Sequence, residues 1–272
     1  MPKLDRNGVK IHYEVHGPTG GKGPTILLSH GYSSTSRMWD AQVAALKDRY
    51  QVVVWDFRGH GESDYPADGA QYSEALTVGD MLALLDLVGA KKAIVAGLSL
   101  GGYMSLAFHA SHPDRVRALM LFDTGPGFKK DEARAKWNET AHARAARFDT
   151  DGLAALNTSD EVRLTRHRDA TGLAGSARGM LAQENDRVIQ SLGSIRVPTL
   201  VLVGADDTGF LAATDYMAAK IAGSTKAVIP GAGHAANLHQ PALFNKAVEA
   251  FLATLPPRLR LNSANRVPLI SN

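Results

Sequence analysis

The chain has 272 residues, 44% of them hydrophobic and 21% charged, a composition that suits one large globular domain with an insertion. The net charge of +3 comes from interspersed acids and bases, which argues against nucleic-acid binding. The absence of cysteine excludes disulfides, thiol nucleophiles and zinc–thiolate sites. No apolar run is long enough to span a bilayer. Residues Met1 to Gly8 lack the apolar core of a signal peptide. A cytoplasmic protein with no membrane or nucleic-acid partner is expected.

A β-hairpin is predicted first, with strands Lys3 to Arg6 and Val9 to Val15. Asn7-Gly8 between them supplies the positive φ values of a type I′ turn. His12 and His16 fall on the polar phase and are expected to face solvent. Pro24 to Leu28 is a continuous apolar run, the signature of a strand covered on both faces. It leads into Ser29-His30-Gly31-Tyr32. From Ser36 onward Trp39, Val43 and Leu46 share a helix face. Gln51 to Trp55 is the next buried strand, opening into the polar loop Asp56 to Asp64. A helix over Ser73 to Val88 groups Met81, Leu84, Leu85 and Val88, with Gly89 as C-cap.

Ala93 to Ala96 reads as another buried strand. Gly97-Leu98-Ser99-Leu100-Gly101 then fits G-x-S-x-G, and Met104, Ala107 and Phe108 follow at helical spacing. This helix should stop near His112-Pro113. By itself the pattern also fits a glycine-rich turn with a serine N-cap. Val116 to Phe122 is a strand ending in Asp123. From Phe128 to Ser194 there is no strand signal, and the segment reads as several short amphipathic helices broken by glycines. Thr199 to Val203 returns to a buried strand ending in Gly204-Ala205-Asp206-Asp207. A helix over Phe210 to Ile221, a strand over Lys226 to Ile229 and a helix from Pro241 to Leu255 complete the pattern. Alternating strands and helices imply an α/β fold with a mostly parallel sheet and helices on both faces. The core is assigned to 1–127 and 195–255, the helical insertion to 128–194 and a tail to 256–272.

Right-handed crossovers place the C-terminal ends of these strands on one edge, where ligands bind. Ser99, Asp123, Asp207, His234 and the His30-Gly31-Tyr32 loop all follow strand ends. A serine hydroxyl needs a base to become a nucleophile, and the base needs a carboxylate on its other nitrogen. His234, after the last strand, is the candidate base. Asp207 is the candidate acid, with Asp123 and Asp206 as alternatives. The backbone N–H groups of Leu100 and Tyr32 are the candidate oxyanion donors. Leu98 and the insertion residues Phe128, Trp137 and Met180 are candidate pocket residues. His30 and His60 are read as loop-shaping, His109 and His112 as lying behind Ser99, His142 and His167 as part of the inserted helices, and His239 as opening the last helix. No metal or cofactor is expected.

The stretches Leu28 to Tyr32, Asp56 to Asp64, Ala96 to Gly102, Leu202 to Asp207 and Pro230 to His234 together resemble the α/β-hydrolase fold superfamily, in family order. The resemblance implies a Ser-His-Asp hydrolase with a helical cap after strand six, here 128–194. Within the superfamily the chain looks most like serine esterases, enol-lactonases and cofactor-free perhydrolases. A small acyl substrate is implied. Thioesterases, C–C hydrolases and slow-turnover receptors share the same triad. A serine at the nucleophile position departs from the aspartate of epoxide hydrolases. His239 stands where related sequences often carry an acid. A homodimer through the cap or the tail is a further expectation.

Overall fold

The computed structural model describes residues 2–20 and 23–256. The tail assigned to 256–272 lies outside the described residues apart from Pro256. Among the described residues no helix is long and apolar enough to cross a membrane.

Asn7 and Gly8 adopt φ values of 56° and 88°, and the turn joins β1 (Lys3–Arg6) to β2 (Val9–His16) as an antiparallel pair. The remaining strands are β3 (Thr25–Ser29), β4 (Gln51–Trp55), β5 (Ala93–Leu98), β6 (Val116–Phe122), β7 (Thr199–Gly204) and β8 (Thr225–Ile229). They form one eight-stranded sheet in the order β1-β2-β4-β3-β5-β6-β7-β8. β2 pairs antiparallel with β4, and every pair from β4 to β8 is parallel.

Alternation along the inner strands feeds two apolar layers. Leu27, Val53, Val95 and Leu119 point to one face, where Met81, Leu84, Met104 and Phe108 cover them. Those side chains come from α2 (Glu74–Leu87) and α3 (Leu100–Ser111). Ile26, Leu28, Val52 and Ile94 point to the other face, against Val43, Phe244, Val248 and Phe251. α1 (Asp40–Leu46) supplies Val43 and the last helix, Pro241–Thr254, supplies the rest. Strands buried on both faces therefore read as unbroken apolar runs.

The β6–β7 connection is helical, but not uniformly short. Its first helix, α4 (Asp131–Asp151), runs for 21 residues. No glycine or proline interrupts it until Gly152, which ends it at φ 59°. Then come α5 (Asp160–Arg163), α6 (Thr171–Ser176), a π turn over Ala177–Leu181 and α7 (Arg187–Ser191). After β7 lie α8 (Leu211–Lys220), α9 (Ala236–His239) and α10 (Pro241–Thr254).

Two histidine expectations need correction. His12 is buried, with 1% of its surface exposed. The loop after β4 folds across the polar phase of β2: Ser63 Oγ accepts from His12 N–H at 2.8 Å, and Asp56 N–H donates to His12 O at 3.1 Å. Alternation marks two faces, but it does not reveal that a distant loop covers the polar one. His239 ends α9 rather than opening the last helix.

The same loop is tied to α2 by a buried ion pair. Arg58 Nε and Nη2 donate to the two carboxylate oxygens of Asp80 at 2.7 and 2.9 Å, and Arg6 Nε reaches Asp80 Oδ1 at 3.0 Å. Removing one partner leaves a buried charge uncompensated. Asp80→Ala is therefore expected to destabilise the fold by about 3–5 kcal/mol in urea titration, and the apolar pair Arg58→Met with Asp80→Leu by less. Equal losses in the two variants would contradict this account.

Candidate active site

Ser99 sits between β5 and α3 with φ 55° and ψ −117°. A non-glycine residue there is strained by about 1–3 kcal/mol and is held only by its surroundings. Ser99 N–H donates to Phe122 O at 2.9 Å. Its carbonyl accepts from Tyr103 N–H at 3.0 Å and from Thr124 Oγ1 at 2.6 Å. Two glycines let the backbones converge. A Cβ on Gly97 would lie 2.3 Å from Gly101 C, and one on Gly101 would lie 2.2 Å from Ser29 O. Any side chain at either position would push β5, α3 and β3 apart.

His234 follows β8, and its Nδ1–H donates to Asp207 Oδ2 at 2.9 Å. Phe210 stacks on the imidazole with ring centroids 4.9 Å apart. Burial pushes the His234 pKa down, but the hydrogen bond and charge of Asp207, with the charges of Asp123 and Glu161, outweigh it and raise it above 6.5. Asp207 is buried and Asp206 exposed. Asp123 is buried nearby at φ 45°, and its Oδ1 accepts from Gly204 N–H at 2.7 Å. Burial pushes its pKa up to about 7, against the pull of that N–H. Asp123 thus bridges β6 and β7, while Asp207 holds the ring. His239 Nδ1 accepts from Gly233 N–H at 2.9 Å, so it fixes the loop just before His234.

The loop after β3 passes close to the serine. A Cβ on Gly31 would lie 3.6 Å from Ser99 Cβ. Neither Tyr32 N–H nor Leu100 N–H donates a hydrogen bond among the described residues. Three histidines brace this loop. His30 Nδ1–H donates to Gly31 O at 2.7 Å, and its Nε2 accepts from Phe57 N–H at 3.0 Å. His60 Nε2 accepts from Ser33 N–H at 3.1 Å, and His167 Nε2–H donates to Ser33 O at 3.0 Å. Each ring donates through one nitrogen and accepts through the other, the pattern of a neutral imidazole. Burial lowers all three pKa values, that of His30 to about 4. Tyr32 also donates its phenol to Leu173 O at 2.9 Å, which ties the loop to the helical insertion.

Ser99 lies where two cavities meet. One, of about 320 Å³, is walled by Leu100, Phe128, Trp137, Leu181 and Phe210. The other, of about 260 Å³, contains Tyr32, Leu98, Arg144, Glu161, Asp207 and His234. Ser99 Oγ and His234 Nε2 share this second cavity without a hydrogen bond between them. Such contacts are often long in unliganded sites. Leu98, Phe128 and Trp137 line the cavities as the sequence predicts, and Trp137 is held by its indole N–H on Leu181 O at 2.8 Å. Met180 does not. It is 1% exposed, packed in the core with Ser176 Oγ at 3.3 Å from its sulfur. Phe210, Arg144 and Glu161 escape the sequence reading, since nothing in their spacing sets them apart from ordinary helix-surface or loop residues.

The profile of the alpha/beta hydrolase family matches residues 26–247. The chain is 29% identical over 268 residues to the putative 2-succinyl-6-hydroxy-2,4-cyclohexadiene-1-carboxylate synthase of Bacillus subtilis (strain 168), covering 92% of this chain and 97% of that one. It is 30% identical over 264 residues to 3-oxoadipate enol-lactonase 2 of Acinetobacter baylyi, covering 92% and 95%. A thermophilic esterase from Thermogutta terrifontis superposes with a TM-score of 0.79 at 26% identity, covering 94% of this chain and 99% of that one. Strand order, the serine turn and these matches agree: the chain belongs to the alpha/beta hydrolase family.

Proposed function

We propose that this chain is a serine hydrolase that cleaves a carboxylic ester or lactone through an acyl-enzyme. The observation that carries the reading is the Asp207–His234 hydrogen bond beside a cavity that Ser99 also lines. Ser99 Oγ attacks the carbonyl carbon while His234 Nε2 takes its proton. The carbonyl oxygen becomes an anion, and the free N–H groups of Tyr32 and Leu100 are positioned to stabilise it at the N-terminus of α3. The acyl–oxygen bond then breaks, and the leaving oxygen takes the proton from His234. Water repeats the sequence to release the acid and restore Ser99. Asp207 fixes the ring so that Nε2 faces the serine. In this reading 1–127 and 195–255 form the core, and 128–194 caps the cavity through Phe128 and Trp137. The esterase and enol-lactonase relatives support this substrate class.

A second reading draws on the Bacillus subtilis relative, named as a synthase. A synthase of that kind calls for no hydrolysis of an ester or lactone through an acyl group on Ser99. Mass spectrometry of enzyme quenched during turnover separates the two: an acyl adduct on the Ser99 peptide supports the hydrolase, and turnover without an adduct supports the synthase.

With p-nitrophenyl butyrate, Ser99→Ala is expected to lower kcat roughly a thousandfold or more, leaving the melting temperature within a few degrees. Asp207→Asn should lose far more activity than Asp123→Asn. The reverse ranking would reassign the acid.

The base must be neutral, so kcat/KM is expected to fall as pH drops through a His234 pKa lying above 6.5. Asp123 is charged only above about 7, so Asp123→Asn removes a charge that raises the His234 pKa in that range and should move the upper part of the acid limb to lower pH while retaining the rate. An unmoved limb would remove Asp123 from the electrostatics of the base.

Asp123 also predicts a stability slope. Its folded pKa of about 7 exceeds the ordinary 3.8, so the folded state binds the extra proton. Its contribution is fully present at acidic pH and is lost as pH rises through about 7. Asp123→Asn keeps the acceptor for Gly204 N–H and should flatten that slope in urea titrations at successive pH values.

A further inference from the structure

The two cavities that meet at Ser99 differ in chemistry and in their access to the base. The larger is walled mostly by apolar side chains, with Thr124, Tyr103 and Gln183 among them, and does not include His234. The smaller includes His234 together with Arg144 and Glu161 from the insertion. In ester cleavage His234 must hand its proton to the leaving oxygen, so the leaving group lies on the side that His234 lines. The acyl group then occupies the apolar cavity.

Arg144 is unusual among the arginines of the insertion. Arg134, Arg163, Arg168, Arg178 and Arg187 each pair with a carboxylate. Among the described residues Arg144 and Arg147 have neither an ion pair nor a hydrogen bond. They stand three residues apart on α4, on neighbouring positions of one face, where like charges destabilise a helix. Both line a cleft of about 170 Å³ that shares Tyr32, Ser33, Arg144 and Asn157 with the cavity holding His234. Arg166, also unpaired, faces a separate cavity with His12 and Asp56. Glu161 makes no ion pair with Arg144, and its charge acts on His234 instead.

We infer that the substrate is an ester of an apolar acid with an alcohol that carries a carboxylate, which Arg144 binds with help from Arg147 while the acyl chain fills the cavity under Phe128 and Trp137. This rests on the serine-hydrolase reading above. Guanidinium is suited to the role because its fork matches a carboxylate in two parallel hydrogen bonds. The chemistry balances as in any acyl transfer. The Ser99 Oγ–acyl bond forms and the acyl–alcohol bond breaks. The electron pair stays on the leaving oxygen, which receives the serine proton through His234. The freed product is a hydroxy-carboxylate.

The test compares kcat/KM for three esters: the hexanoyl ester of para-hydroxybenzoate, the hexanoyl ester of methyl para-hydroxybenzoate, and monophenyl succinate. The first carries its charge on the leaving group, the second carries none, and the third carries it on the acyl group. Wild type is expected to favour the first over the second by roughly tenfold, as a charge-assisted contact allows. The third should be the poorest. Arg144→Gln should bring the ratio of the first two close to one, Arg147→Gln should reduce it partly, and Arg144→Glu should drive it below one. Arg144 is exposed, so these substitutions remove no core contact, and melting temperatures confirm the fold. Ser99-dependent turnover without preference for the first ester, a ratio unmoved in every arginine variant, or preference for monophenyl succinate would overturn the inference alone. Turnover unaffected by Ser99→Ala, or none with any ester, would instead overturn the hydrolase reading and this inference with it.

Discussion

The backbone contact beneath Ser99 is the constraint on which the site depends. Gly97 lies against Gly101, and Gly101 lies against the carbonyl of Ser29, at distances that admit no side chain. Three backbones from β3, β5 and α3 therefore meet at one point. The chain can leave β5 and enter α3 at that separation only through a residue of positive φ, and that residue is Ser99. The strain is offset by hydrogen bonds from neighbouring strands and by Thr124 on the serine carbonyl. The same convergence brings the Gly31-Tyr32 segment beside the serine, and among the described residues the N–H groups of Tyr32 and Leu100 donate no hydrogen bond. The positive-φ serine and the two candidate oxyanion donors beside it are thus consequences of one packing contact.

A second constraint keeps the donors in place. The loop that carries Tyr32 is braced by His30, His60 and His167, with His60 tilted against His30 at a centroid distance of 5.1 Å and edge-on to His167 at 5.6 Å. Burial keeps these rings neutral, so each can donate on one side and accept on the other. A protonated ring would lose its acceptor and release the N–H of Phe57, Ser33 or Gly61. His234 is the contrasting case. Asp207 fixes it in the same way, yet the surrounding carboxylates raise its pKa. Identical side chains therefore have lowered or raised pKa values according to burial and the charges around them. His167 and Leu173 come from the β6–β7 connection, so that connection holds the loop carrying Tyr32 as well as lining the cavities.

Much of the site was legible in the amino-acid order because the elements are local. G-x-S-x-G after an apolar run, Gly-Ala-Asp-Asp after another and Gly-Ala-Gly-His after the last each report a short stretch whose conformation its own residues dictate. Parallel topology then places these stretches on one edge. Residues whose role depends on distant chain were not legible. His12 looked solvent-facing because the loop that covers it lies some fifty positions away in sequence. Met180 looked like a pocket residue because helical spacing does not say which face meets the cavity. Arg144 and Glu161 carry no local mark at all.

The sequence by itself determined the order of strands and helices, the serine turn and the candidates Ser99 and His234, with the acid open between Asp207, Asp123 and Asp206, since apolar periodicity and glycine placement act over a few residues. Tertiary structure alone decided that Asp207 rather than Asp123 holds His234, because both follow adjacent strands and only the loop geometry separates them. It also decided that Ser99 opens onto one apolar and one charged cavity. That division arises from which faces of the inserted helices pack over the sheet edge, and packing between segments so far apart in the chain leaves no periodic trace in it.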